Sequence, residues 1–173
     1  MPTRRVREPV PSKTGKGSRG TPVVLIDTNV VLDLILDRAP WSNDAARLFT
    51  AANQGVLDAW VSAHALSTVH YIVERERGRQ VAAAAIADLL SIVRVVPLDG
   101  AAFQRALTLG LADYEDALQV VAALVVDARC VVTRNARDFK GGSVPVLAPA
   151  EALAVYSLRR LRHACTGPAR QVP

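Results

Sequence analysis

The chain has 173 residues, 50% hydrophobic and 21% charged, the composition of one globular domain, which excludes a disordered polymer. No apolar run reaches the roughly 18 residues of a membrane span, and the N-terminus lacks a signal-peptide h-region, so a cytoplasmic protein is expected. The formal charge of +5 is unevenly distributed: residues 1–22 hold six Lys or Arg against Glu8, residues 159–173 hold four Arg and no acid, and removing this +5 and +4 leaves −4 for residues 23–158.

The first 22 residues, rich in Pro, Gly, Ser and charge without periodicity, read as a disordered basic extension, and residues 159–173 as a basic tail. Such ends suit phosphate binding or simple solvation. Residues 23–158 are the expected folded body. "VVLI", residues 23–26, is short, β-branched and apolar on both faces, as in a central parallel strand. Val30 to Leu36 is apolar enough to be buried, with Asp33 interrupting it. A helix is expected from Ser42, with Ala45, Leu48, Phe49 and Ala52 at helical spacing and Gly55 ending it.

"LDAWVSA" reads as a second strand entering a helix from His64 to about Arg77, and Val81 to Leu90 as another helix. "IVRVVPL" is a third strand stopped by Pro97, followed by helices at 101–109, ended by Gly110, and 115–127. "CVVT" (130–133) is a fourth strand, "VPVL" (144–147) a fifth, and a last helix opens at Pro149. This alternation predicts a three-layer α/β/α sandwich with a mostly parallel sheet, whose ligands sit beyond the carboxyl ends of the strands. Cys130 and Cys165 form no CxxC motif and read as free thiols.

The chemistry-bearing residues gather at those strand ends. Asp27 follows the first strand, "LADYEDALQVVAAL" brings Asp113, Glu115 and Asp116 to a helix start, and "VVTRNARDF" brings Asn135 and Asp138 just past the fourth strand. Taken singly, Asp27 and Asp113 suit helix caps and Asp138 a turn. Taken together, carboxylates from three segments repel one another unless a cation compensates them, which points to a hard-oxygen site for Mg²⁺ or Mn²⁺. Zinc is disfavoured because no Cys or His cluster has ligand spacing, and His64 and His70 read as packing or surface residues. Asp33 is either a supporting acid or the partner of a nearby Arg.

"LIDTNVVLDLIL", "VSAHALSTVHYIV", "DYEDALQVVAAL" and "VVTRNARDF" together resemble, in order and spacing, the PIN-domain ribonucleases, above all the VapC-type toxins of bacterial toxin–antitoxin pairs. The resemblance spans about residues 23–155. It implies a Mg²⁺-dependent ribonuclease in which acids hold a metal that activates water to cut RNA. By motif, Asp27, Asp116 and Asp138 carry over as catalytic and metal-binding residues, with Asn135 as a further ligand from the fourth block.

Thr28 and Asn29 then orient Asp27, Thr133 contacts the metal's water or a phosphate, and Arg134, Arg137 and Lys140 hold the RNA backbone. Asp113 supports the site. The resemblance also implies a homodimer and a cognate antitoxin, with the helices containing "LSTVHYIV" and "VAAAAIADLLSIV" as the contact surface. One departure stands out: the family's glutamate in the helix after the second strand falls here on Thr68, whose hydroxyl can hold a metal-bound water but supplies no charge, so the resemblance implies either a lower metal affinity or compensation by Asp113 or Glu115. Two rivals remain: an aspartyl phosphotransfer enzyme, which would want a second Asp where Asn29 stands, and a catalytically weak or inactive RNA-binding or regulatory module of the same fold.

Overall fold

A computed structural model describes residues 20–164, with side chains through Tyr156; residues 1–19 of the basic extension and 165–173 of the basic tail lie outside the described residues. Strand β1 (Val23–Ile26) leads into α1 (Thr28–Ile35) and α2 (Ser42–Asn53), then β2 (Asp58–Ser62), α3 (Ala63–Arg77) and α4 (Arg79–Ile92). After β3 (Arg94–Val96) come α5 (Gly100–Leu107), α6 (Tyr114–Val125), β4 (Val131–Val132), β5 (Val146–Leu147) and α7 (Pro149–Ala164). The expected elements are present, with boundaries shifted by a few residues. The buried Val30–Leu36 segment is α1, and α7 continues to Ala164, past the domain boundary expected at residue 158.

Local chemistry explains most of the ends. Ser62 caps α3 by accepting from the Ala65 amide at 3.1 Å, and Asp99 caps α5 by accepting from Ala102 at 2.9 Å. Gly78, at φ +89, takes the left-handed conformation that lets the chain leave α3 and enter α4 at once.

The five strands form one all-parallel sheet in the order β3-β2-β1-β4-β5. Residues of β1 alternate between its faces. Val24 and Ile26 pack with Leu48, Val69 and Ala152 of α2, α3 and α7, whereas Leu25 packs with Val120 and Ala123 of α6. Helices therefore cover both faces, as an all-parallel sheet requires. Deleting the fully buried Leu25 side chain to Ala would cost ~2–5 kcal/mol. The strand order reverses between β1 and β4, so a crevice opens beyond their carboxyl ends. The residues that leave those two ends are Asp27 and Thr133.

Candidate active site

Asp27 is 5% exposed and stands at the N-cap position of α1 without using its side chain as a cap. Its carboxylate is held across the crevice instead. The fully buried Thr133 hydroxyl donates to Asp27 Oδ2 at 2.7 Å, and Gln119 Nε2 approaches Oδ1 at 3.4 Å. Thr133 is a junction: Asn29 Nδ2 and the Asn135 amide each donate to Thr133 Oγ1 at 3.0 Å. Thr28 belongs to the same network, accepting from Gln119 Nε2 at 3.0 Å and donating to Glu115 Oε1 at 3.2 Å. The D-T-N run after β1 thus reaches β4 through its third residue and α6 through its second.

Helix α6 brings the second group of acids. Asp113 caps it, its Oδ1 accepting from the amides of Glu115 at 2.6 Å and Asp116 at 3.4 Å, so capping is this residue's observed role. Asp116 lies half-buried in the first turn, and its carboxyl is pushed up to about 6, first by burial and then by Asp27, Asp113, Asp138 and Glu115. Burial also pushes Asp27 up to about 6, against the Thr133 hydrogen bond and the Thr28 amide, with Glu115 raising it further and Arg134 lowering it. The acids from the three segments therefore lie within one another's electrostatic reach.

The fourth block divides. Arg134 is engaged by Asp33 and Trp41: its Nη1 donates to Asp33 Oδ1 at 3.0 Å and its guanidinium lies 4.1 Å from the centroid of the Trp41 ring. Asp33 is therefore the partner of an arginine, buried against it, and Arg134 ties the end of β4 to α1. Asn135, Arg137, Asp138 and Lys140 are exposed, and neither Arg137 nor Lys140 forms an ion pair among the described residues. Thr68 lies half-buried on α3 and makes no side-chain hydrogen bond among the described residues.

Two participants escape a sequence reading. Gln119 sits in "ALQVVAAL", 1% exposed, with its amide nitrogen on Asp27 and Thr28 and its Oε1 buried without a partner. The available signal is a polar residue on the buried side of an apolar helix, three positions after Asp116. His64, expected to be a packing or surface residue, faces the site, with Nε2 3.9 Å from Glu115 Oε1 and Nδ1 buried without a partner. His70 stays on the α3 surface beside Glu74.

Among the described residues, no three His, Cys, Asp or Glu side chains are gathered tightly enough to hold a metal ion already. The donor chemistry nevertheless suits a hard divalent cation. The groups are all oxygens, Asp27 and Asp116 repel each other, and the buried Gln119 Oε1 next to them lacks a donor. A cation retaining most of its water would need only two or three of these oxygens.

A family model described as a PIN domain matches residues 23–137. No curated protein matches the chain by sequence. Solved structures do match in shape. The DNA-bound VapBC of Salmonella typhimurium is 17% identical, with a TM-score of 0.60 over 75% of this chain and 99% of that one. A toxin–antitoxin complex from Klebsiella pneumoniae is 21% identical, with a TM-score of 0.56 over 73% of this chain and 97% of that one. The sarcin–ricin-loop-cleaving toxin VapC20 of Mycobacterium tuberculosis is 18% identical, with a TM-score of 0.53 over 62% of this chain and 86% of that one. At these identities the likeness is one of fold.

Proposed function

From the premise that the chain belongs to the PIN-domain family, we propose that it is a divalent-metal-dependent endoribonuclease, the toxin of a toxin–antitoxin pair acting on RNA in the cytoplasm. The observation that carries this reading is the buried Asp27 carboxylate. It leaves its own helix uncapped and is held at the β1/β4 switch point, in the field of Asp116. Burying a carboxylate beside others weakens the fold, a cost that a bound cation offsets and that is typical of functional sites.

A bound Mg²⁺ or Mn²⁺ would supply positive charge for the scissile phosphate and for the attacking water. Asp27 and Asp116 would hold it, with Asn135 and Asp138 closing in from the exposed fourth block. Thr133 and Gln119 fix the rotamer of Asp27, so its oxygens are oriented before any ligand arrives. With no cation present the Asp116 carboxyl is pushed up to about 6; a bound divalent ion favours its ionised form, in which it serves as a ligand. Arg137 and Lys140, exposed and without an ion pair among the described residues, suit the RNA backbone, and the basic ends at 1–22 and 159–173 add sequence-independent attraction.

The antitoxin and a second copy of the chain would dock on the α3–α4 hairpin, which exposes Tyr71, Val81 and Leu90. One of the structures similar in fold is itself a toxin–antitoxin complex, which supports an antitoxin partner here. The experiment is cleavage of RNA by the purified chain with Mg²⁺ or Mn²⁺, with EDTA, and in the Asp27→Asn variant. Cleavage lost in both controls is expected; cleavage that survives both would reject the assignment.

A second reading has its own observation, the uncharged threonine at residue 68. On that reading the chain binds RNA without cutting it. RNA binding with no cleavage at any Mg²⁺ or Mn²⁺ concentration would favour it.

A further inference from the structure

The PIN-domain resemblance implies an acid in the helix after the second strand, and residue 68 at that place is a threonine. His64 precedes it by four positions and shares its face of α3. That face meets Glu115, which comes from α6 on the opposite side of the crevice: His64 Nε2 lies 3.9 Å from Glu115 Oε1. The same oxygen accepts from Thr28 Oγ1 at 3.2 Å, while Oε2 enters no hydrogen bond among the described residues. Glu115 acts electrostatically on both Asp27 and Asp116. Its nearest competitor, Asp113, is turned to the amides at the start of α6. The fully buried Gln119, with its unpartnered Oε1, hydrogen-bonds the same Thr28 hydroxyl that holds Glu115.

We propose that Glu115 is the fourth acid of the cation site, replacing from α6 the carboxylate that α3 lacks at residue 68, with His64 as its positioning residue. The inference rests on the metal-dependent reading above and deepens it. Glu115 keeps one oxygen on Thr28 and offers the other to the cation or its water. His64 stands on the α3 side of the half-exposed Glu115 side chain, 3.9 Å from its Oε1, and biases it toward the crevice.

The test is calorimetric titration of the full chain with Mn²⁺ in the absence of RNA. Glu115→Gln should weaken Mn²⁺ binding at least tenfold, and adding Thr68→Glu to that variant should restore most of the affinity. His64→Ala should weaken binding severalfold in the wild-type background and have no further effect beside Glu115→Gln. Wild-type affinity in Glu115→Gln overturns this inference alone, as does a His64→Ala loss of equal size with and without Glu115. A wild-type chain that takes up no Mn²⁺ overturns the metal-dependent reading as well.

Discussion

Thr133 and Asp27, 106 residues apart in sequence, meet across the switch point of the sheet in a 2.7 Å hydrogen bond between hydroxyl and carboxylate. Because both are buried, the bond fixes the Asp27 rotamer and joins the ends of β1 and β4 in one unit. Thr133→Val should cost about 1–3 kcal/mol, since Asn29, Asn135 and Asp27 all lose a partner. RNA cleavage should fall by roughly 10–100-fold. Thr133→Ser should keep most of both, as measured by urea unfolding and initial cleavage rates.

Asp27→Asn should abolish cleavage while leaving the fold intact. It should also raise the melting temperature of the metal-free protein, because a buried charge in the field of other acids is removed. Circular dichroism melts in EDTA, compared with wild type, measure this; a lower melting temperature would show that the carboxylate stabilises the fold.

The same burial makes metal-free stability depend on pH. Asp27 titrates at about 6 in the folded chain against an ordinary 3.8, so between these values the folded state binds more protons than the unfolded. Stability from this group is complete below about pH 4 and is lost as pH rises through about 6, a contribution on the order of 3 kcal/mol. Asp116 adds the same sign with a smaller size, because it is only half-buried and solvent screens it. Urea midpoints in EDTA should therefore fall between pH 4 and 7 more steeply for wild type than for Asp27→Asn.

Arg134→Ala should act on stability. It strands the Asp33 carboxylate, whose side chain is 2% exposed, and empties the face of Trp41, for a loss of about 3–5 kcal/mol. Denaturant unfolding at neutral pH reads this directly. A loss below 1 kcal/mol would mean that Asp33 finds water or another cation.

Arg137→Ala with Lys140→Ala should leave stability unchanged, since both side chains are exposed and free of ion pairs among the described residues. Affinity for single-stranded RNA should fall, and the slope of log affinity against log salt should shrink by about 1.4, two contacts at ~0.7 each. Fluorescence anisotropy over a salt series, with the metal omitted to prevent cleavage, gives that slope. An unchanged slope would remove these two residues from the RNA contact.

The order of elements was legible because hydrophobic period and punctuation are local properties. "VVLI" is apolar on both faces, Gly55 and Gly110 follow helices at positive φ, and Pro97 follows β3. From alternation alone the parallel sheet and the crevice at its carboxyl edge follow, and with them the placing of Asp27, Asp116 and Asp138 at one rim. What each polar residue does there was not local. Asp27 and Asp113 both stand at N-cap positions, yet Asp113 caps and Asp27 does not, because only Asp27 has Thr133 and Gln119 facing it from other segments. Arg134 and Arg137 are three apart in one motif, but pairing with Asp33 and stacking on Trp41 hold the first half-buried and leave the second exposed. His64 reads as a packing or surface histidine and Gln119 carries no local signal of a role, until packing sets them against Glu115 and Asp27. Sequence period determines which face of an element is apolar; partners on distant elements determine what a polar group bonds, and only the folded chain brings those elements together.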